Sequence, residues 1–215
     1  MFGLDPGLGR DRPLRLVCLG AHADDVEIGA GGTVLRLLAE RPRTEATVVV
    51  FSGGADRAAE ARASAADLLA GAARADVHVL DHRDGFLPAQ AADVKVWLRA
   101  TLGDARPHLV LTHRRDDAHQ DHRTVADLSW QTFRGARIAA YEVPKWDGDL
   151  DRPNAYVTLT PETLDRKCAL LEAHFASQSA KPWFDGETFR GLARVRGVEA
   201  GARYAEAFHC AKLVW

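Results

Sequence analysis

The chain has 215 residues, of which 47% are hydrophobic and 27% are charged, and its formal net charge is −2 at pH 7. This length allows one domain with a sizeable core, and the composition is that of an ordinary globular protein. The near-neutral charge excludes a general basic surface for nucleic acid or anionic membranes. No apolar run approaches the ~20 residues that a membrane-spanning helix needs, so we expect no membrane span.

The N-terminus and the cysteines both indicate a cytoplasmic protein. Residues 1–13 lack the charged-then-apolar order of a signal peptide, and we expect them to form a loose leader. The three cysteines are an odd number and are widely separated, which indicates thiols in a reducing compartment rather than a disulfide framework. We therefore expect the protein to work in the cytoplasm.

Segments typical of strands and of helices alternate through the first two-thirds of the chain. The predicted strands lie at residues 14–19, 47–51, 77–80 and 108–112. The predicted helices lie at about 27–40, 56–70, 94–102 and 121–133. Beyond residue 135 we expect strands at 137–143 and 155–160, a helix that begins at Pro161, and a loop-like stretch from 176 to 198.

This alternation predicts an α/β fold, with a Rossmann-like, mostly parallel sheet flanked by helices and right-handed crossovers. Residues from about 136 to 215 would form a C-terminal elaboration on the substrate side of the same domain. Gly29, Gly31 and Gly32 are unfavourable inside the first helix. They predict that its first turns lie close to the sheet or to a neighbouring backbone.

The first polar cluster directly follows the first predicted strand. It comprises His22, Asp24, Asp25 and Glu27, and it lies where ligands bind in open α/β sheets, at the carboxyl end of a strand. An acidic residue before a helix is often an N-cap or a partner of the helix dipole. This stretch alone therefore fits capping as well as it fits a metal or catalytic site, although a cap needs one acid and no histidine.

A second polar cluster follows the fourth predicted strand and favours the functional interpretation of the first. Three histidines and three acids lie within ten residues, namely His113, Asp116, Asp117, His119, Asp121 and His122. Because both clusters follow parallel strands, they would open from the same edge of the sheet. The remaining histidines are better explained as surface or core residues.

Histidines and carboxylates from two loops can form a hydrolytic zinc site. Such a site uses two histidines and one carboxylate, and the bound zinc lowers the pKa of a water molecule to ~7. A nearby carboxylate that is not a ligand can then take a proton during attack on a carbonyl. Asp24 and Asp25 suit this division, but their spacing does not say which one is the ligand. Such sites also take other divalent ions, so Fe²⁺ and Co²⁺ are alternatives to Zn²⁺.

Two motifs at this separation indicate a family. His-Ala-Asp-Asp-Val-Glu at 22–27, followed by Gly-Ala-Gly-Gly-Thr, and His-Gln-Asp-His at 119–122 resemble the motifs of the PIG-L/LmbE zinc-dependent N-acetylglucosaminyl de-N-acetylases. The similarity continues through residues 57–60, the Asp84-Gly85 loop and the stretch 204–208, so it extends over most of the chain. Ala23 stands where the family usually has proline, which affects loop rigidity rather than a ligand.

The resemblance implies removal of an acetyl group from an N-acetylglucosamine-type sugar conjugate by metal-activated water. It implies that His22, Asp25 and His122 bind the metal and that Asp24 is the general base. It also implies that protonated His119 stabilises the oxyanion or protonates the leaving amine.

The resemblance assigns three further positions. Asp121 would orient His119, because an imidazolium beside a metal ion needs a carboxylate partner. Arg57 and Asp84 match positions that the family uses near the substrate, although a charge at a helix start and an Asp-Gly turn are structural alternatives for them. The expected partner is a small-molecule amino-sugar conjugate and not a nucleic acid, and assembly into a homo-oligomer stays open.

Two other functions fit the polar clusters. A metal-dependent phosphoesterase would hold two metal ions, with Asp116 or Asp117 as an additional ligand. A non-catalytic sugar- or nucleotide-binding protein could have the same fold, although no Gly-x-Gly-x-x-Gly or Walker motif supports nucleotide binding. Trp146, Trp183 and Phe184 could stack on a sugar, but aromatic residues of this kind are more often part of the core.

Overall fold

A computed structural model describes residues 12–212 of the chain. Its strands are β1 (Arg15–Gly20), β2 (Glu45–Ser52), β3 (Arg74–His82), β4 (Leu109–Thr112), β5 (Arg137–Tyr141), β6 (Ala155–Leu159) and β7 (Tyr204–His209). Its helices are α1 (Asp25–Glu40), α2 (Ala55–Leu68), α3 (Ala91–Leu102), α4 (Gln120–Thr132), α5 (Pro161–His174) and α6 (Gly186–Glu199). The predicted leader at 1–13 lies outside the described residues except for its last two positions.

The strands form one seven-stranded sheet in the order β3-β2-β1-β4-β5-β7-β6. Strands β1 to β5 are parallel, and β7 is antiparallel to its neighbours β5 and β6. The prediction of a mostly parallel α/β sheet with a C-terminal elaboration is confirmed.

Helices cover both faces of the sheet, which explains why its central strands are apolar on both sides. Along β1, Leu16 and Cys18 pack in one hydrophobic cluster with α1, α2, α5 and α6. Val17 and Leu19 alternate with them and pack on the other face with α3 and α4. This is the doubly wound arrangement that the alternation of segments predicts.

Strand β1 is the point at which the strand order reverses. It pairs with β2 on one side and with β4 on the other, and Cys18 is opposite Leu111 in the β1–β4 register. The loops that follow β1 and β4 therefore lie side by side at the carboxyl edge of the sheet, where ligands bind in this class of fold. Both polar clusters lie on these two loops.

Two of the three glycines of α1 allow the close contact that the sequence predicts. A Cβ atom on Gly29 would lie 2.2 Å from Tyr141 Cδ2, and one on Gly32 would lie 2.5 Å from Leu159 Cδ1. Gly31 has only an ordinary contact, 3.5 Å from Lys167 Cγ. Helix α1 therefore lies directly against β5 and β6.

The prediction of a loop-like stretch from 176 to 198 is wrong, because most of it forms helix α6. The Asp185 side chain caps this helix by accepting a hydrogen bond from the Thr188 N–H at 2.7 Å. Phe189 is buried on its inner face. The three glycines in the segment weaken its helical pattern, and packing of the helix against β7 compensates for that.

The cysteines are free thiols, and Cys18 and Cys168 are buried. Within residues 12–212, no helix combines the length and the apolar character needed to cross a lipid bilayer.

Candidate active site

The three predicted metal ligands, His22, Asp25 and His122, meet at the carboxyl ends of β1 and β4. His22 Nδ1 lies 3.2 Å from His122 Nε2 and 3.4 Å from Asp25 Oδ2. His122 Nε2 lies 3.5 Å from Asp25 Oδ1. His22 and Asp25 come from the loop and the first turn after β1, whereas His122 comes from the first turn of α4.

Carboxylates on the far side of each ring determine which nitrogen of His22 and of His122 faces the centre of this group. His122 Nδ1 lies 3.0 Å from Asp117 Oδ2. His22 Nε2 lies 3.1 Å from Asp84 Oδ1 and 3.4 Å from Asp121 Oδ2. A ring N–H that donates to a carboxylate leaves the other nitrogen as an acceptor. His122 Nε2 and His22 Nδ1 therefore present lone pairs towards each other, as metal-binding histidines do.

The electrostatics of the group favour a bound cation. Burial alone would lower the pKa of His22, but Asp25 and the neighbouring carboxylates raise it well above its ordinary value. Burial opposes the shift at His122 too, yet Asp25 and Asp117 raise its pKa. In the opposite direction, the surrounding histidines hold the pKa of Asp25 well below its ordinary value in spite of its burial. The buried carboxylates thus stabilise positive charge at this point.

The donor atoms fit a divalent metal ion. Ligands ~2.0–2.1 Å from a tetrahedral zinc ion lie about 3.3 Å from one another. The two histidine nitrogens are 3.2 Å apart, which is close to this value. Each of them also lies 3.4 or 3.5 Å from one of the two oxygens of the Asp25 carboxylate. A nitrogen of His119 also lies within 4.8 Å of the donor nitrogens of the other two histidines. These residues could therefore hold a metal ion.

Asp24 contacts Arg57 and does not cap α1. Its side chain makes no capping hydrogen bond, and its Oδ1 accepts a hydrogen bond from Arg57 Nη2 at 2.9 Å. Arg57 Nη1 lies 3.6 Å from Asp84 Oδ2, so the guanidinium joins the two carboxylates. Burial and the charge of Asp25 raise the pKa of Asp24, while Arg57 opposes the shift. A buried carboxylate with a raised pKa beside the candidate metal ligands suits a general base.

The structure places Asp121 differently from the expectation that its carboxylate orients His119. Its carboxylate faces His22 and accepts hydrogen bonds from the backbone N–H groups of Gly85 at 2.7 Å and Leu87 at 3.0 Å. It is instead the backbone N–H of Asp121 that donates to His119 Nδ1, at 3.2 Å. His119 is thus the N-cap of α4, and its neutral ring has its proton on Nε2. The sequence motif does not show that the loop at residues 85–87 provides the hydrogen-bond donors to the Asp121 carboxylate.

Three residues that were left out of the predicted site support it. His113 is fully buried, stacks on the His122 ring at 3.8 Å, and accepts a hydrogen bond from the Ala21 N–H at 2.9 Å. Asp117 holds His122, and Lys145 Nζ lies 3.1 Å from Asp117 Oδ1. His113 directly follows β4, and this position could have indicated that it belongs to the site. Lys145 comes from a distant loop, so no local pattern indicates its role.

A cleft of about 210 Å³ opens above this group. It is lined by the predicted site residues except Asp121, and also by Ile28, Val143, Lys145, Trp146, Asp147, Lys181 and Trp183. Trp146 is exposed and does not belong to the core, contrary to the expectation for it. Trp183 both lines the cleft and packs against the edge of the core, beside Phe184. Phe184 does belong to it, since it packs on Phe175 and Phe189.

The additional ligands required by a two-metal phosphoesterase are engaged elsewhere. Asp116 is exposed and pairs with Arg114, whose Nη2 lies 3.0 Å from Asp116 Oδ2. Asp117 faces His122 and Lys145. Asp116 and Asp117 therefore do not offer free carboxylates to a second metal ion.

Solved structures similar to this one confirm the fold. The conserved protein TT1542 from Thermus thermophilus is 23% identical with a TM-score of 0.73, over 94% of this chain and 96% of that one. The N,N'-diacetylchitobiose deacetylase from Pyrococcus horikoshii is 21% identical with a TM-score of 0.66, over 91% and 82%. GalB, the 4-carboxy-2-hydroxymuconate hydratase from Pseudomonas putida KT2440, is 20% identical with a TM-score of 0.68, over 94% and 98%.

The family assignment comes from the sequence of the first four strands and four helices. A family model described as PIG-L, GlcNAc-PI de-N-acetylase, matches residues 17–133, which is more than half of the chain. The match includes both polar clusters and every predicted site residue. The chain therefore belongs to the PIG-L family and is a hydrolytic N-deacetylase.

Proposed function

We propose that the protein binds one zinc ion through His22, Asp25 and His122 and removes the acetyl group from an N-acetylglucosamine-type sugar conjugate. The observation that supports this most directly is the pair of imidazole lone pairs that converge with a carboxylate at separations suited to a tetrahedral ion. When bound, such an ion would polarise the amide carbonyl and lower the pKa of a water molecule, which makes that water a better nucleophile.

Asp24 is the proposed general base. It lines the cleft beside Asp25, and the guanidinium of Arg57 keeps its carboxylate in place. It would accept a proton from the attacking water and return it to the amide nitrogen as the C–N bond breaks. The products are then the free amine and acetic acid, which ionises to acetate by releasing its proton to solvent, and Asp24 returns to its starting ionised state.

His119 is the proposed stabiliser of the oxyanion. Because its Nδ1 accepts the Asp121 N–H, its Nε2–H is the group free to donate a hydrogen bond into the cleft. Burial and the neighbouring histidines lower the pKa of His119, which favours the neutral ring. A neutral donor suits the developing negative charge on the carbonyl oxygen, and leaving-group protonation falls to Asp24.

The substrate class is proposed from the family and from the cleft. The description of the matching family model is GlcNAc-PI de-N-acetylase, and one similar structure is a diacetylchitobiose deacetylase. Asp84 is about half exposed at the cleft wall and, with Arg57, offers charged partners to sugar hydroxyl groups. The three free thiols fit a reducing compartment, so we place the enzyme in the cytoplasm.

The direct test is acetate release from N-acetylglucosamine, its simple glycosides, and its nucleotide- and inositol-linked forms. Metal-stripped protein, zinc-reconstituted protein and the His122→Ala variant would be compared, with bound metal counted per chain. We expect acetate only from the zinc-reconstituted protein, with one ion per chain. Release that survives in His122→Ala, or two ions per chain, would contradict the proposal.

A further inference from the structure

Lys145 is a largely buried cation that the proposed mechanism does not use. It follows strand β5, which lies beside β4 in parallel register, with Ala140 opposite Thr112. The loops after these two strands therefore lie side by side at the carboxyl edge of the sheet. Lys145 lines the cleft, but its side chain is only 9% exposed, and its ammonium contacts two carboxylates.

One of these carboxylates, Asp117, is the partner of a candidate metal ligand. Asp117 Oδ2 lies 3.0 Å from His122 Nδ1. On the other side, Asp117 Oδ1 lies 3.1 Å from Lys145 Nζ and accepts a hydrogen bond from the His119 backbone N–H at 2.8 Å. The backbone N–H and the ring N–H of His122 are neutral donors, so Lys145 brings a full positive charge to this carboxylate. Because Asp117 is almost fully buried, water screens that charge little.

The other carboxylate, Asp149, fixes the position of the ammonium. Lys145 Nζ lies 2.7 and 2.8 Å from its two oxygens. Asp149 Oδ2 also accepts a hydrogen bond from the Ala118 N–H at 2.8 Å, and the Asp149 backbone carbonyl accepts one from Arg114 Nη1 at 2.7 Å. Asp149 is thus attached to the loop that contains Asp117, and the two carboxylates share the charge of Lys145.

How strongly a histidine donates electrons to a metal ion depends on the group that accepts its other N–H. A carboxylate in that place makes the ring more basic and tightens metal binding. A positive charge on the same carboxylate weakens this effect, because it stabilises the negative charge away from the ring. The positive charge also repels the metal ion directly. Both effects lower the affinity for zinc, and both leave a bound ion better able to polarise water and a carbonyl group.

We propose that Lys145 is a positioning residue of the metal site, whose charge acts through Asp117 to limit electron donation from His122 to zinc. The inference rests on the proposed function and deepens it, since it assigns the residue that sets the strength of the same site. If Lys145 only anchored Asp117, its loss would weaken zinc binding, as the loss of a carboxylate partner does. If its charge acts as proposed, its loss tightens zinc binding and slows the reaction.

The test measures the zinc dissociation constant by competition with a chelator, which needs no turnover. In Lys145→Met we expect Kd to fall about five- to tenfold and kcat for acetate release to fall about tenfold. Lys145→Arg keeps the charge and should leave Kd within about twofold of the unchanged protein. Asp149→Asn should raise Kd about threefold, because the ammonium then acts on Asp117 alone. Lys95→Met removes the same charge from α3, where Lys95 bonds to Gln131, and is the matched control that should change neither value.

The variants of Lys145 and Asp149 separate this inference from the proposed function. A Kd in Lys145→Met that is unchanged or higher, a kcat that does not fall, or an equal fall of Kd in Lys95→Met would overturn the inference. If Lys145→Met does not fold, as judged by circular dichroism, unchanged or tighter zinc binding in Asp149→Asn would overturn it. Opposite shifts of Kd in the two variants without acetate release from any conjugate would leave the inference standing, and only the proposed function would fail. An unchanged protein that binds no zinc would contradict both.

Discussion

The two ends of the cleft are built in different ways. At the inner end, each candidate metal ligand has a second partner: Asp117 for His122, Asp84 and Asp121 for His22, and the His22 N–H for Asp25. Arg57 holds the proposed base, Asp24. At the outer end, the Trp146 side chain is largely exposed, and within residues 12–212 neither Asp147 nor Lys181 forms an ion pair. The inner residues lie within the family-matched segment, and the outer ones lie beyond it.

The two ends of the cleft determine different properties of the enzyme. Catalysis that depends on the geometry of metal ligands needs ligand side chains that are oriented by hydrogen bonds to further residues. Recognition of the leaving amine needs surfaces that stay open until the substrate covers them. We therefore expect substitutions at the inner end to change metal content or kcat, and substitutions at the outer end to change KM for some substrates only.

Metal removal should have the largest effect. Chelation of the enzyme is expected to abolish acetate release, because water and the amide carbonyl are then no longer activated. Addition of one equivalent of zinc per chain should restore it, as followed by acetate release and elemental analysis. Full activity at a negligible metal content would refute the view that the inner end is a metal site.

Asp24→Asn should have the next largest effect. The amide cannot accept a proton from water, so we expect kcat to fall by roughly 10²- to 10⁴-fold. Metal content should be unchanged, since Asp24 contacts Arg57 rather than the ligand nitrogens. Arg62→Gln is a suitable control, because Arg62 is exposed on the same helix as Arg57 and its side chain donates a hydrogen bond to the Val79 carbonyl, away from the cleft. Near-normal turnover in Asp24→Asn would remove Asp24 as the base.

Asp117→Asn tests whether the second contacts of the inner end matter. Asp117 holds the Nδ1–H of His122, and loss of such a carboxylate weakens metal binding by roughly 10- to 100-fold. The affinity can be measured by competition with a zinc chelator. Asp116→Asn is the matched control, since Asp116 is exposed and pairs with Arg114, and it should bind zinc as the unchanged protein does. Equal affinities in the two variants would show that His122 needs no partner.

Sequence patterns can predict that the residues of the inner end meet, because the determinants of their positions are local. An apolar strand followed at once by His22 and Asp25, and another followed by His119 and His122, places the ligands once the strands are known to be parallel. The contacts of Asp121 were not predictable in this way. They depend on the loop at 85–87, which approaches only in the folded chain.

The outer end is harder to predict from sequence because no motif or hydrophobic pattern near Trp146 indicates that it lies at the cleft. Trp146 lies in a loop rich in proline, glycine and aspartate, and its place at the cleft follows from contacts of Lys145 and Asp149 with the distant segment 114–118. Helix α6 was missed for a related reason. Its intrinsic helical preference is low, and its contacts with β7 stabilise it.

A buried ion pair connects the C-terminal elaboration to helix α1. We expect substitutions in this pair to have the smallest effect on catalysis. Lys167 of α5 and Glu206 of β7 lie 2.6 Å apart and are almost fully buried. Lys167 Nζ donates to the Ile28 carbonyl at 2.6 Å, and Glu206 accepts from the Gly32 N–H at 2.9 Å and the Thr33 N–H at 2.6 Å. The C-terminal elaboration therefore holds the helix whose first turn contains Asp25.

Glu206→Gln should lower the free energy of unfolding by about 3–5 kcal/mol, because the ammonium of Lys167 stays buried without a counter-charge. The double variant Lys167→Met/Glu206→Gln should recover part of this loss, since it removes both charges and keeps an amide oxygen for one of the two helix N–H groups. Urea denaturation would measure the stability, and acetate release by the folded, zinc-loaded fraction should fall far less than in Asp24→Asn. If the double variant were less stable than Glu206→Gln, the ion pair itself would hold α1, and the elaboration would do more than shape the outer end of the cleft.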